Sequence, residues 1–217
     1  MSTAQLRESL KQRACETIDR LKNDLEAISH DIHAHPEENF EEHHAHKLLT
    51  EAIADNGHKV TRKAYGLDTA FESTIGTQGA TVAVLCEYDA LPGIGHACGH
   101  NIIAAAGLGA GLALAGLAEE AGGRLKLMGT PAEEGGGGKI MMARKGAFDG
   151  VTASMMIHPA DTELARMNAI AIQHCLVRYV GEAAHAAVSP HKGRNALDAA
   201  VLGYMNIAAL RQHILPT

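Results

Sequence analysis

The sequence has no tryptophan, and aromatic residues make up only 3% of its 217 positions. A stacking platform is hard to build from so few rings, whereas 23 glycines suit tight turns and close packing of helices on a sheet. Basic residues are in deficit, with 19 Lys and Arg against 25 Asp and Glu and a formal charge of -6. That sign argues against nucleic acid or an anionic membrane as the main partner and favours a small-molecule ligand. Cysteine is sparse: Cys15, Cys86, Cys98 and Cys175 show no paired framework. No charged-then-apolar leader opens the chain, so the cytoplasm is the expected compartment. Internal repeats and low-complexity linkers are lacking. The uncharged run from Ile102 to Ala118 is short and built mainly of Ala and Gly, which reads as a buried helix rather than a membrane span.

What is present is enough apolar material, 46% of the chain, for a real core in one or two domains. Leu6, Leu10, Ala14, Ile18, Leu21, Leu25 and Ile28 recur at three- and four-residue steps, predicting a long amphipathic first helix. Leu48, Leu49 and Ile53 mark a second. Strands are predicted near Lys59 to Lys63, Ala70 to Ile75 and Ala80 to Cys86, the last apolar enough to be buried on both faces. The Ala/Gly helix follows His100, with Asn101 as its cap and Gly122-Gly123 at its close. A strand over Arg124 to Thr130, a Gly-rich loop, a helix over Lys139 to Lys145 and a strand ending at His158 come next. This alternation predicts an α/β fold. A change near Asn168 divides a first domain, residues 1–168, from a second, 169–217, in which a strand over Ala169 to Val180, a turn over His185 to Gly193 and a helix over Asn195 to His213 are expected.

Chemistry-bearing residues gather directly after the apolar strands. Glu87-Tyr88-Asp89 follows one, Pro131-Ala132-Glu133-Glu134 a second, and His158-Pro159 a third, while His96-Ala97-Cys98-Gly99-His100 leads into the Ala/Gly helix. Ligands of open α/β sheets bind beyond the carboxyl ends of the strands, so these distant residues are expected to converge. Cys98 and His100, two residues apart in a glycine-rich loop, can both face one borderline metal ion; alternatively they are a buried thiol near a helix cap and surface histidines. Of Glu133 and Glu134, one can hold a metal while the other removes a proton from water; the plain alternative is a solvated acidic pair. Asp89 can orient a ligand imidazole or cap a turn. His96 can simply sit on its loop, and His191, His213 and the group His43, His44 and His46 read as surface residues. A phosphate loop at the glycine run is ruled out, because it would need Gly where Glu133 stands and Ser or Thr where Ile140 stands.

The stretch Glu87 to Asn101, Pro131 to Glu134 and His158-Pro159, with His35-Pro36-Glu37, Ala184 to Ala187 and Gly193 to Asp198, resembles the dinuclear metallopeptidases and amidohydrolases. That family includes aminoacylases, auxin-conjugate hydrolases, p-aminobenzoyl-glutamate hydrolase and Xaa-Arg dipeptidase-like enzymes. The resemblance runs from about Ile28 to Leu215, and its glycine patterns are nearest the dipeptidase and p-aminobenzoyl-glutamate hydrolase branch. It implies a three-layer αβα catalytic domain with a mixed sheet, plus the start of a smaller α+β lid or dimerisation domain. It implies two divalent metal ions, zinc or manganese, bridged by Cys98, with His100 and His158 on one and Glu134 on the other. Glu133 would be the general base, Asp89 the support, and His185 with Asn195 the substrate contacts, His185 acting across a homodimer interface. A last metal-binding His of the family, after the lid, has no match before Thr217, which reads as the amino-terminal part of a longer enzyme. The implied reaction is hydrolysis of the amide bond of a dipeptide or an N-acyl or N-aroyl amino acid. Two other classes stay open: a thiol hydrolase using Cys98 with His96 or His100 as base, and a non-catalytic partner or binding fragment.

Overall fold

The computed structural model describes residues 2–165 and 175–215. The chain divides into two compact units, Met1–Glu163 and Leu164–Thr217, each described by itself.

In the first unit, helix α1 (Thr3–Ala34) begins at a reciprocal cap: Gln5 N–H donates to Ser2 Oγ at 3.3 Å, and Ser2 N–H donates to Gln5 Oε1 at 2.8 Å. Helix α2 (His43–Asp55) follows, then strands β1 (Thr61–Arg62), β2 (Phe71–Ile75) and β3 (Ala80–Cys86). Helix α3 (His100–Ala115), strand β4 (Gly123–Gly129), helix α4 (Gly138–Arg144) and strand β5 (Ala153–Met155) complete the unit. The sheet order is β1-β2-β4-β3-β5, with β3, β4 and β5 parallel and β2 antiparallel to both of its neighbours. This is the mixed α/β sheet expected.

Side chains alternate along β3 as a pleated strand requires. Val84 and Cys86 join Leu125 and Leu127 of β4 against Leu108 and Leu112 of α3, with Ile32, Leu49 and Ile53 of the first two helices in the same cluster. On the opposite face Ala83, Leu85 and Met128 pack with Met142 of α4. The Ala/Gly composition of α3 has a direct cause. A Cβ at Gly107 would stand 2.7 Å from Cys86 Sγ, and one at Gly109 would stand 2.7 Å from Leu25 Cδ1, so the helix fits between the sheet and α1 only because those positions are bare. Among the described residues no helix is long and apolar enough to cross a membrane.

Several local expectations are corrected. Strand β1 is only two residues long, and β5 stops at Met155, paired with Val84 and three residues before His158, although β3 runs on to Cys86. Helix α3 ends at Ala115, and turns carry the chain from there towards Gly122-Gly123. Its N-cap is Gly99, in a left-handed conformation with φ 81°, whereas the Asn101 side chain reaches across to donate to Ser29 Oγ at 3.0 Å.

His46 is buried rather than on the surface, its ring 6.0 Å from that of Phe71, and His44 is partly buried beside Asp31. Burial holds the His46 pKa below its ordinary value of 6.5. A base with a lowered folded-state pKa contributes stability that is present above its unfolded pKa and is lost as pH falls. The loss from His46 should therefore begin below about pH 6.5 and steepen to at most about 1.4 kcal/mol per pH unit until the folded-state pKa is passed. Urea midpoints at pH 7.5 and pH 5 should differ less in His46→Leu than in the parent chain; an unchanged difference would show that His46 does not drive the acid loss.

In the second unit, Asn195 caps helix α5 (Ala196–Ala209), its Oδ1 accepting from Leu197 N at 3.0 Å and Asp198 N at 3.3 Å. A short 3-10 turn continues the helix to His213. Of the strand expected over Ala169 to Val180, residues 169–174 lie outside the described residues, and 175–180 carry no strand. An isolated antiparallel bridge pairs Glu182 with Arg194.

Candidate metal centre

The carboxyl ends of β3, β4 and β5 face one edge of the sheet, and the loops that leave them carry the acidic pairs and His158. His100, at the first position of α3, is 1% exposed and occupies the centre of the group. Its Nδ1–H donates to Asp89 Oδ1 at 3.0 Å. That bond leaves Nε2 facing Glu87 Oε2 at 3.5 Å, Glu134 Oε1 at 3.5 Å and Glu133 Oε2 at 3.9 Å. Cys98 Sγ lies 3.8 Å from His158 Nε2, and the His158 Nδ1–H donates to Pro159 O at 2.7 Å, so the nitrogen turned to the thiol is the unprotonated one. The Glu134 carboxylate is among the acidic groups that raise the Cys98 thiol pKa. Cys98, His100, Glu134 and His158 thus meet around one region, although 60 residues separate Cys98 from His158.

The loops are held from below. Asp89 is 1% exposed and works on two elements at once: Oδ1 takes the His100 imidazole, and Oδ2 accepts the Glu134 N–H at 2.9 Å. Glu42, 0% exposed, accepts from Ala132 N at 2.8 Å, Phe40 N at 3.0 Å and Thr69 Oγ1 at 2.7 Å. Ala132 sits at φ 56° and Phe40 at φ 63°, left-handed conformations costly for side-chain-bearing residues. One buried carboxylate therefore receives the N–H groups of two strained residues, one of them immediately before Glu133. Glycine does related work at 138, where a Cβ would collide with Pro131 O, and at 99, where it would stand 2.9 Å from Pro159 Cγ.

The electrostatics ask for a cation. Burial would push the His100 pKa down, but the Asp89 hydrogen bond and the charges of Asp89, Glu87 and Glu134 outweigh it and raise it. Asp89 shows the converse: burial opposes its charge, yet the bonds from His100 and the Glu134 N–H hold its carboxyl below the usual range. Glu133 is raised, by burial first and by the Glu87 charge second, with Lys139 partly offsetting both. Lys139 pairs with Glu87, a partner that sequence reasoning missed because the glycine run before it suggested only a phosphate loop. His100 Nε2, Glu87 Oε2 and Glu134 Oε1 are buried without a hydrogen-bond partner among the described residues. Buried orphans are rare, and three around one point fit a metal ion. Donor atoms of Cys98, His100 and His158 lie within 4.8 Å of one another, as do those of Glu87, His100 and Glu133. His96 is not a loose loop residue: it is 8% exposed, its ring is 6.3 Å from that of His33, and burial lowers its pKa.

His185 and Asn195 belong to the second unit. His185 Nδ1 accepts from Ala187 N and Val188 N, both at 3.2 Å, which places the proton on Nε2. The Asn195 Oδ1 is taken by the cap, and its amide N–H groups have no acceptor among the described residues.

Comparison with known proteins gives a consistent picture. Residues 83–211 match the family described as peptidase family M20/M25/M40. The chain is 44% identical to the Xaa-Arg dipeptidase of Mus musculus, over 100% of this chain and 53% of that protein. It is 36% identical to a p-aminobenzoyl-glutamate hydrolase polypeptide of Escherichia coli K12, over 87% of this chain and 43% of that protein. The crystal structure of a protein described as an aminohydrolase from methicillin-resistant Staphylococcus aureus aligns with a TM-score of 0.69 at 25% identity, covering 94% of this chain and 58% of that one. The chain spans about half the length of the curated relatives it matches.

Proposed function

The chain belongs to peptidase family M20/M25/M40, and from that premise we propose that it carries the metal-binding half of a hydrolase that cleaves the amide bond of a dipeptide or an N-acyl or N-aroyl amino acid. The observation that carries the proposal is the set of three orphaned atoms, His100 Nε2, Glu87 Oε2 and Glu134 Oε1, buried beside Cys98 and His158. Cys98, His100, Glu134 and His158 would hold two divalent ions, zinc or manganese. When bound, such ions polarise a carbonyl and bring the pKa of water towards neutrality. Asp89 fixes the His100 tautomer and the Glu134 backbone. Glu133, raised above the ordinary carboxylate range, is suited to take a proton from the attacking water and return it to the leaving amine. His185, with its proton on Nε2, is suited to donate to the carbonyl oxygen, contributed across a homodimer formed through the second unit. The mammalian and bacterial relatives point to a dipeptide or an aroyl-glutamate as the substrate class. The proposed compartment is the cytoplasm.

A free-thiol mechanism fits less well. Burial and then the Glu134 carboxylate push the Cys98 thiol up to about 11. At pH 7 about one part in ten thousand would be the nucleophilic thiolate. A divalent ion beside it reverses that balance.

The deciding experiment is metal analysis of the protein at the length of its relatives, with a screen of dipeptides and acyl amino acids. Close to two ions per chain and chelator-sensitive hydrolysis are expected. Hydrolysis that survives complete metal removal but not thiol alkylation would sink the proposal.

A further inference from the structure

A second group of metal-ligand side chains lies at the junction of α1 and α2 and shares no residue with the centre around His100. Asp31 Oδ1 is 2.7 Å from His35 Nδ1 and 2.9 Å from His44 Nε2, and the two rings are 4.7 Å apart between centroids, tilted by 52°. The three donor atoms lie within 4.8 Å of one another. We propose that Asp31, His35 and His44 form a binding site for one borderline divalent cation of the zinc and nickel type.

The backbone brings the donors together independently of any ion. Asp31 and His35 are one turn apart on the same face at the end of α1. His44 is the second residue of α2, whose first turn has no side-chain cap from Glu42; instead the Glu37 carboxylate accepts from His44 N at 2.9 Å and Ala45 N at 3.1 Å. The loop between the helices therefore sets where His44 stands relative to Asp31. Ligands on a tetrahedral zinc ion are about 3.3 Å apart, given bonds of about 2.0–2.1 Å. Each imidazole would have to withdraw from the Asp31 carboxylate oxygen by about half an ångström, and His35 Nδ1 would also give up its proton and its 2.9 Å hydrogen bond to the Asp31 carbonyl oxygen. The side chains are 39%, 60% and 37% exposed for Asp31, His35 and His44, so an ion can enter and a solvent position stays open to complete its shell. Two imidazoles and one carboxylate suit zinc, nickel or copper; calcium and magnesium demand more oxygen donors.

An ion there would clip the end of α1 to the start of α2 and close the loop whose Glu37 carbonyl accepts the Ala90 N–H at 2.7 Å, next to Asp89. Binding to the folded chain alone stabilises it by mass action.

The test uses the 217-residue chain itself. Zinc uptake is measured by equilibrium dialysis, and cobalt binding by absorption, where a thiolate ligand gives an intense charge-transfer band and an imidazole-carboxylate site does not. The parent chain should bind one more equivalent than His35→Ala/His44→Ala, the charge-transfer band from Cys98 should be equal in both, and Asp31→Asn should weaken the extra site at least tenfold. In the unaltered chain, the imidazole NMR signals of His35 and His44 should shift as zinc is added, a readout that needs no variant to fold. If the extra ion binds while the charge-transfer band is missing, the second site stands and the metal centre proposed around Cys98 fails. Equal zinc uptake in parent and double variant, with unmoved His35 and His44 signals, overturns the second site.

Discussion

Glu133→Gln, in the protein at the length of its relatives, is expected to keep its metal and lose about 10²–10⁴-fold in turnover, the usual contribution of a positioned proton acceptor. An amide of the same shape cannot take the proton. Glu134→Gln should lose metal affinity as well as turnover. The two neighbours differ in setting: Glu134 has a 17% exposed side chain and is tied by its own N–H to Asp89, whereas Glu133 is 43% exposed and stands farther from His100 Nε2. The more enclosed carboxylate suits a fixed ligand, and the more open one, with its raised pKa, suits a group that must exchange protons with water. Metal content and turnover measured on both variants decide the assignment. A Glu133 variant that sheds its metal would reverse the roles, and one that stays active would remove Glu133 from the chemistry.

Glu42→Ala should cost the chain about 4 kcal/mol of stability, read by urea denaturation. Truncation leaves the Ala132 and Phe40 N–H groups and the Thr69 hydroxyl without their acceptor in a fully buried place, at about 1–3 kcal/mol for each group that finds no substitute. The strain at the two left-handed residues is then no longer offset. Glu42→Gln should cost far less, because its amide oxygen can still accept both backbone donors and its amide N–H can donate to the Thr69 oxygen. The pH dependence separates them further. Burial raises the Glu42 pKa above 4.5 against the pull of its hydrogen bonds, so the stability linked to its proton is complete below pH 4.5 and is lost as pH rises through the folded-state value. The Gln variant should lack that slope. Equal losses from Ala and Gln would show that the carboxylate oxygens are not what holds these residues.

Why some of this was legible in the sequence and some was not follows from how far each contact reaches. Val82 to Cys86 is an unbroken apolar run, the mark of a strand covered on both faces, Leu125 to Met128 is apolar except for Lys126, and the ligand candidates stand in the loops that follow. Their convergence needs nothing beyond parallel pairing of β3 with β4 and β5. Glu42 is the opposite case. It lies in the polar run Glu41-Glu42-His43-His44, which looks solvated, whereas it is buried and one of its hydrogen-bond donors, Ala132 N–H, lies 90 residues away. His46 stands just beyond that run, and only the packing of α2 shows that its face meets Phe71. Asn101 has the right side chain for a cap, but Gly99 reaches a left-handed backbone at little cost and leaves Asn101 free to reach Ser29. Beyond β5 the chain carries Pro159 close against Gly99, a contact that no periodicity within residues 153–158 records.

Asp89 joins an imidazole at the start of α3 to the backbone of the loop after β4 through the two oxygens of one short side chain. The distance between those two pieces of protein is thus gauged by a single carboxylate, and the gap offered to an ion between His100 and Glu134 inherits its width. Tolerance for ions of different radius is in this sense a mechanical property of one tie, set by its length and stiffness, and separable from the chemical preference of the thiol, imidazole and carboxylate donors around it.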